Sequence, residues 1–327
     1  MRDKSLQIKN LTVQYVTDGE IVQAVNGIDL ELEQGKIMGL VGETGAGKTT
    51  TALAIMGLLP KYVGKVPTGE ILFQDQNLLV ASKEEMRDIR GNKISMIFQD
   101  PMTSLNPVFT VGSQLAEVIK LHNKDMSKPE INGRVDAILE MVGIPKERKA
   151  EYPHQFSGGM KQRIMIAIAI ACRPDLLIAD EPTTALDVTI QAQVLKMMKN
   201  LQKELGSSVL LITHDLGVVV SFCDDVSIMY AGEIVESGPL EHVFDRSRKH
   251  HPYTEGLFAS IPDIHSQSAR LKPIPGLMPD PVNLPTGCKF NPRCPYCTDI
   301  CREHTVQLTD YSGLKVRCLH YEEVKYS

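Results

Sequence analysis

The sequence contains no apolar run long enough to cross a membrane. The longest such run, residues 164–172, has nine residues, whereas a transmembrane helix needs about 20. The first ten residues also lack the apolar core of a signal peptide, so we expect no secretion signal. Any association with a membrane would therefore depend on the protein surface or on a partner protein.

The sequence also lacks an excess of positive charge. It has 35 Lys and Arg residues against 40 Asp and Glu residues, for a formal net charge of -5. This balance gives no electrostatic argument for nucleic acid as a partner, because nucleic-acid-binding domains usually carry a basic face. Tryptophan is absent as well, which excludes no class of function. The 327 residues, 43% of them apolar, suffice for one large globular domain or two modest ones.

Short apolar segments alternate with helical patterns along much of the chain. The segments predicted as buried strands are residues 36–42, 94–98, 176–180, 209–213 and 226–230. Because helical patterns lie between several of them, we predict an α/β fold with a parallel sheet that is covered on both faces. Before these segments, residues 6–16 and 24–35 alternate apolar and polar side chains, which is typical of half-buried strands.

Changes of pattern along the chain predict four parts. Strand patterns stop over residues 99–157, which predicts a helical subdomain inserted in an α/β core of residues 1–98 and 158–240. Residues 241–285 are predicted to form a C-terminal extension that ends in a proline-rich linker. Residues 286–327 hold five of the seven cysteines, and we expect them to form a small module.

Residues 42–49 match the phosphate-binding pattern G-x-x-x-x-G-K-[ST]. A predicted buried strand precedes the pattern and a predicted helix follows it, as a phosphate-binding loop requires. We expect Lys48 to contact the β- and γ-phosphates of ATP and the Thr49 hydroxyl to bind Mg²⁺. The candidate ATP-binding residues of this loop are Gly42, Glu43, Thr44, Gly45, Ala46, Gly47, Lys48, Thr49 and Thr50.

Two adjacent carboxylates end the apolar segment at residues 176–180. Asp180 at the end of a buried strand can hold Mg²⁺ through water, and Glu181 can polarise an attacking water molecule. Taken alone, the pair is better explained as an acidic turn that closes a strand. With a phosphate-binding pattern upstream in the same chain, the catalytic interpretation is favoured.

The motifs, taken in order, resemble those of ATP-binding cassette (ABC) ATPases over about residues 5–240. Gln99 matches the glutamine that contacts Mg²⁺ and the water molecule in that family. His214 matches the switch histidine that contacts the γ-phosphate. Tyr15 matches the aromatic residue that stacks on adenine. The alternative is that this tyrosine simply covers one face of the sheet. Gln99, Asp180 and His214 each follow a predicted strand, so we expect them at one edge of the sheet.

Ser157, Gly158 and Gly159 match the ABC signature motif. In the family this motif binds the γ-phosphate of ATP held by the opposite subunit, so the resemblance implies a dimer around two ATP molecules. Residues 185–187 match the family's D-loop. The implied fold is a P-loop NTPase core of ABC type with an antiparallel β subdomain, an inserted helical subdomain and a cysteine-rich metal-binding module.

Further segments resemble the D-type ATPase subunits of dipeptide and oligopeptide importers. They are residues 99–107, 180–193, 230–238 and 250–257. The resemblance implies two permease subunits, a second ATPase subunit that is either related or identical, and an external binding protein. The chain would then lie at the cytoplasmic face of the cell membrane. Two alternatives stay open: the import of nickel or another small solute, and a cassette ATPase outside transport with a regulatory iron–sulfur cluster.

Clustered cysteines in a reducing compartment are more often metal ligands than disulfides. Cys294, Cys297 and Cys301 have spacings that suit a zinc site, and a redox pair or reduced structural thiols also stay open. The resemblance to D-type subunits implies instead a [4Fe–4S] cluster on Cys288, Cys294, Cys301 and Cys318. Cys297 departs from the family pattern, so a set of residues 288, 294, 297 and 301 stays possible. The adjacent His250 and His251 diverge too far to be expected as a chelating pair.

Overall fold

The computed structural model describes residues 3–99, 104–184, 186–260 and 273–321. These residues divide into two compact units. The first takes in the described parts of Met1–Ser5, Leu32–Ile37 and Val80–Ile212, and the second those of Leu6–Glu31, Met38–Leu79 and Thr213–Ser327. No helix within the described residues combines the length and the apolar character needed to cross a membrane.

Strands and helices alternate along the chain. The strands are β1 (Lys4–Thr17), β2 (Glu20–Glu33), β3 (Ile37–Val41), β4 (Gly64–Phe73), β5 (Gln76–Asn77), β6 (Ile94–Ile97), β7 (Leu176–Asp180), β8 (Ser208–Thr213), β9 (Asp225–Tyr230), β10 (Glu233–Pro239), β11 (Thr309–Tyr311) and β12 (Leu314–Val316). The α-helices are α1 (Lys48–Ile55), α2 (Lys83–Ile89), α3 (Val111–His122), α4 (Lys128–Met141), α5 (Gly158–Ile170), α6 (Val188–Leu205), α7 (Leu216–Phe222), α8 (Leu240–Val243), α9 (Pro252–Ala259) and α10 (Asp299–Glu303).

The first unit is built on parallel strands in the order β8–β7–β6. All five residues of β7 are buried, as expected for a strand with both faces covered. Helices α3, α4 and α5 pack against one another and against the 3-10 turn Lys146–Ala150. Buried apolar side chains supply the contacts there. They include Leu115 and Ile119, which lie at helical spacing on one face of α3, and Val135 of α4.

The second unit contains an antiparallel sheet with the order β2–β1–β4–β5. Its other strands lie in the order β11–β12–β10–β9–β3, in which only the β3–β9 pair is parallel. Glu236 of β10 pairs with Val316 of β12. The backbone of the C-terminal cysteine segment, residues 286–321, is therefore hydrogen-bonded to the sheet of this unit.

An aromatic cluster fills the space between this sheet and the cysteine segment. The ring centroid of Tyr230 lies 4.6 Å from that of Tyr253 and 5.1 Å from that of Phe290. Tyr253 and Tyr230 are fully buried and Phe290 nearly so. Aromatic pairs at such separations stabilise a core beyond the apolar area they bury. The cluster joins the end of β9, helix α9 and the cysteine segment into one packed region.

Candidate functional site

The loop between β3 and α1 has the backbone of a phosphate-binding loop. Gly47 precedes α1 with a φ of 103°, a conformation that disfavours every residue except glycine. A Cβ atom at Gly47 would strike the carbonyl oxygen of Ala24, and one at Gly42 would strike that of Met229. Glycine is therefore required at both positions, because the loop packs closely against the backbone of Ala24 and Met229 within the second unit.

Lys48 is held inside this loop. Its Nζ atom donates hydrogen bonds to the carbonyl oxygens of Gly42 at 2.8 Å and Glu43 at 3.0 Å, and the residue is only 6% exposed. Thr44 and Thr49 are exposed beside it. These two carbonyl oxygens hold the ammonium group of Lys48 at the loop, where its positive charge can attract a bound phosphate.

Tyr15 lies next to the start of α1. Its hydroxyl donates a hydrogen bond of 3.2 Å to the Thr50 hydroxyl. This contact brings the candidate adenine-stacking residue of β1 to the phosphate loop, within the second unit. His214, the candidate switch histidine, is exposed in the same unit just before α7, whose first turn is capped by the Asp215 side chain.

Gln99 and Glu181 meet in the first unit. Strands β6 and β7 are parallel neighbours, so the residues after them lie at the same edge, and Gln99 Nε2 donates to Glu181 Oε2 at 3.0 Å. The hydroxyl of Thr184 donates to the same oxygen, also at 3.0 Å. Two donors thus orient the carboxylate, while Asp180 beside it is 2% exposed.

Glu181 also has a strained backbone. Its φ is 47°, in the left-handed region that side-chain-bearing residues rarely adopt, and its N–H donates to the carbonyl of Ile212 at 2.8 Å. Such a conformation costs about 1–3 kcal/mol and persists where the surroundings enforce it, often at active sites. Nothing in the local sequence signals this conformation.

The signature segment presents an exposed helix start. Ser157 is the N-cap of α5, and both it and Gly158 are exposed, with no side-chain capping hydrogen bond from Ser157. A Cβ atom at Gly159 would lie 2.7 Å from Cγ2 of Ile190, so this glycine lets α5 and α6 pack closely. Residue 185 of the D-loop and residues 100–103 lie outside the described residues.

A cavity in the second unit is lined by four of the five C-terminal cysteines. They are Cys288, Cys294, Cys301 and Cys318, and Cys297 is not part of the lining. Within the described residues, no group of three or more His, Cys, Asp or Glu side chains is placed so as to hold a metal ion. Only the type of these residues suits a metal ion or cluster, since thiolates are the usual ligands of zinc and of iron–sulfur clusters.

Burial controls the ionisation of these thiols. It raises the pKa of Cys288 to about 12 and that of Cys294 to about 11. It also acts to raise the pKa of Cys301, but hydrogen bonding with Thr298 and the nearby His320 outweigh it and lower the pKa. At neutral pH Cys288 and Cys294 are therefore thiols, and a metal that bound them would have to displace their protons.

The two adjacent histidines have separate structural roles. His250 Nδ1 lies 2.7 Å from Oε1 of Glu236, a carboxylate with no exposed surface. His251 Nδ1 instead accepts a hydrogen bond of 3.0 Å from the N–H of Tyr253 at the start of α9. The two side chains thus make different contacts, and Glu236 completes its shell with the His251 N–H and the Thr254 hydroxyl at 2.7 Å each.

Sequence reasoning missed two residues that contact the phosphate loop. The Tyr253 hydroxyl accepts a hydrogen bond of 3.0 Å from the Glu43 N–H. Arg293 makes an ion pair of 2.7 Å with the Glu43 carboxylate. Both partners are more than 200 residues from Glu43 along the chain, so no local pattern could have indicated them.

A glycine loop between a strand and a helix, with a lysine inside it, defines a P-loop nucleoside triphosphatase. Comparison with known proteins then identifies the family. The ABC transporter family matches residues 25–184, and the oligopeptide/dipeptide transporter C-terminal region matches residues 235–301. The oligopeptide transport ATP-binding protein AppD of Bacillus subtilis is 49% identical over 97% of each chain. The chain therefore belongs to the ABC transporter ATP-binding proteins, as its motifs predicted.

Two further comparisons agree with this assignment. The dipeptide transport ATP-binding protein DppD of Bacillus subtilis is 52% identical over 91% of this chain and 89% of its own. The ATP-binding cassette MJ0796, in a dimeric post-hydrolysis state bound to ADP and Pi, is 28% identical with a TM-score of 0.65, covering 72% of this chain and 98% of its own. The predicted ABC-type fold and ATP-hydrolysing class are thereby confirmed.

Proposed function

We propose that this chain hydrolyses Mg-ATP to drive the import of dipeptides or oligopeptides. The assignment of peptides as the cargo rests on one observation. The chain is similar to peptide-transport ATP-binding proteins over nearly its whole length, including the C-terminal region at residues 235–301. The core motifs alone support ATP hydrolysis but say nothing of cargo. The cargo proposal therefore rests on the C-terminal part and the relatives.

The candidate site residues divide the work of hydrolysis. Lys48 and the backbone of its loop bind the phosphates, and Tyr15 stacks on the adenine. The oxygens of Thr49, Gln99 and Asp180 suit Mg²⁺, which neutralises phosphate charge when it is bound. Glu181, oriented by Gln99, accepts a proton from the attacking water.

Two further groups contact the γ-phosphate and stabilise its negative charge. His214 contacts it from the same chain. Ser157, Gly158 and Gly159 contact it from the opposite subunit, and the exposed start of α5 supports this role because an unobstructed helix N-terminus favours anions. Each of the two ATP sites of the dimer would then need residues from both subunits.

We further propose a peripheral position at the cytoplasmic face of the cell membrane. The partners are two permease subunits, a second ATPase subunit that is related or identical, and an external binding protein that acts through the permeases. The dimeric state of the structural relative MJ0796 supports pairing of cassettes. The comparisons give no support to the alternative of a cassette regulator outside transport.

Reconstitution tests the cargo. In liposomes that contain the partner permeases and the binding protein, we expect peptide in the lumen to stimulate ATP hydrolysis by this chain several-fold. Peptide should then appear on the side that carries the ATPase subunits. Nickel in place of peptide is the matched control, and stimulation by nickel alone would replace peptide with nickel as the cargo.

We also propose that Cys288, Cys294, Cys301 and Cys318 hold a [4Fe–4S] cluster. The cavity that these four side chains share, with Cys297 outside its lining, supports this set over the set that contains Cys297. Four thiolates satisfy the ligand requirement of such a cluster. Because nothing in peptide import requires an electron, we propose a structural or regulatory role. Zinc is the alternative occupant.

Metal analysis on protein purified without oxygen tests the cluster. We expect close to four iron and four sulfide per chain, about the stoichiometry of one [4Fe–4S] cluster. Cys301→Ser should lose most of the iron, and Cys297→Ser, the matched control, should keep it. Iron lost from Cys297→Ser but kept in Cys318→Ser would select the other ligand set. About one zinc per chain would replace the cluster with a zinc site.

A further inference from the structure

An arginine of the cysteine segment forms an ion pair with the phosphate loop. Nη1 of Arg293 lies 2.7 Å from Oε2 of Glu43, and Nη2 lies 3.2 Å from Oε1. Glu43 is the second residue of the loop at 42–49, and Arg293 directly precedes Cys294. This two-pronged geometry is the strongest form of an arginine–carboxylate contact.

The Arg293 side chain is almost fully buried and makes several hydrogen bonds. It is 5% exposed, its Nε donates to the carbonyl of Pro275 at 2.9 Å, and its Nη2 also donates to that of Ile274 at 3.3 Å. The guanidinium carbon lies 5.7 Å from the centre of the Tyr230 ring. A guanidinium held by this many partners loses little further freedom on pairing with a carboxylate.

Glu43 is in turn connected to the lysine of the loop. Its carbonyl oxygen accepts the 3.0 Å hydrogen bond from Lys48, and its N–H donates to the buried hydroxyl of Tyr253. The side chain, the N–H and the carbonyl of one residue thus link the cysteine segment, helix α9 and Lys48. Arg293 and Lys48 are thus connected through a single residue.

Charge gives this contact a second consequence. A carboxylate within a loop that binds a triphosphate repels that ligand, and Glu43 is one-third exposed, so solvent screens the repulsion only in part. Arg293 supplies the compensating positive charge from a sheltered position. Without it, the loop would present an uncompensated negative charge to ATP.

We propose that Arg293 is a positioning residue of the nucleotide site, through which the cysteine segment neutralises Glu43 and holds the phosphate loop for ATP. This inference rests on the proposed role of the loop in binding ATP phosphates. It goes beyond that role because it makes ATP affinity depend on the C-terminal segment.

Substitution of Arg293 by methionine tests the proposal. We expect Arg293→Met to weaken ATP binding by about tenfold, with little change in the rate of hydrolysis at saturating ATP. Adding Glu43→Gln should restore most of the lost affinity, and raised salt should shrink the deficit of the single variant. Arg302→Met, from an exposed ion pair of the same segment, is the matched control and should bind ATP like the wild type.

Several outcomes would overturn the proposal. Unchanged ATP affinity in Arg293→Met would remove the role of the arginine. A deficit that neither Glu43→Gln nor salt relieves would mean that Arg293 only packs the segment. If Arg293→Met unfolds, Arg293→Lys gives the test instead, because lysine keeps the charge but not the two-pronged contact with Glu43. We expect it to weaken ATP binding by less than about tenfold, and a loss that Glu43→Gln does not relieve contradicts the proposal. If Lys48→Met both binds and hydrolyses ATP like the wild type, the loop assignment itself fails, which separates the two failures.

Discussion

Glu181→Gln is expected to lower the rate of ATP hydrolysis by about 10²–10⁴-fold while ATP affinity stays near that of the wild type. Glutamine keeps the shape of the side chain and an oxygen that can accept from Gln99 and Thr184, so the local arrangement should survive. It cannot accept a proton from water, so hydrolysis loses its base. Phosphate release at saturating ATP and equilibrium binding of ATP measure the two quantities separately.

The matched control for this variant is Glu140→Gln. Glu140 lies in the same unit in an exposed pair with Lys146, at 56% exposure, so its loss should change neither quantity. A Glu181→Gln protein that hydrolyses ATP at the wild-type rate would place the base elsewhere. Loss of ATP binding would mean instead that Glu181 acts chiefly by holding Mg²⁺.

The part of the site that lies on consecutive residues could be predicted from the sequence. The loop at residues 42–49 is a local pattern, and the elements around it, β3 and α1, fall where apolar and helical patterns place them. The patterns also predict that Gln99 and Asp180 each follow a strand of one sheet, but the contact of Gln99 with Glu181 depends on β6 and β7 being neighbours, which no local pattern indicates. The catalytic roles of Gln99 and Glu181 stay predictions, and the Glu181→Gln variant tests that of Glu181.

Contacts that depend on distant segments could not be predicted. Arg293 reaches Glu43 only because β12 pairs with β10 and the aromatic cluster packs the cysteine segment onto the second unit. Neither the charge pattern around Arg293 nor the spacing of the cysteines indicates that contact. The two cysteine sets stayed open for a related reason: the family resemblance includes Cys318 and the departure at Cys297 questions it, and only the folded chain shows Cys318 in the lining of the cavity.

The conformation of Glu181 was also beyond sequence reasoning. A φ of 47° contradicts the preference of glutamate, and the interactions that hold it include a hydrogen bond to the carbonyl of Ile212 on the neighbouring strand. Local preference is overruled there by the surrounding sheet. Such conflicts between local and global structure are expected at functional sites, where strain serves the chemistry.

Lys48→Met is expected to weaken ATP binding by about 100-fold, because it removes a charge-assisted contact to the phosphates. Methionine fills much of the space of the buried lysine stem, so the thermal unfolding temperature should change little. Lys65→Met, at an exposed position of β4 in the same unit, is the matched control and should leave ATP affinity unchanged.

The two variants distinguish binding from chemistry. In Lys48→Met, hydrolysis should fall because little ATP is bound, so raising the ATP concentration should recover part of the rate. In Glu181→Gln, bound ATP is not attacked, so no concentration of ATP should recover it. A Lys48→Met protein that binds ATP normally but hydrolyses it slowly would show that the lysine acts in the transition state alone. That result would require the phosphates to be held mainly by the backbone of the loop.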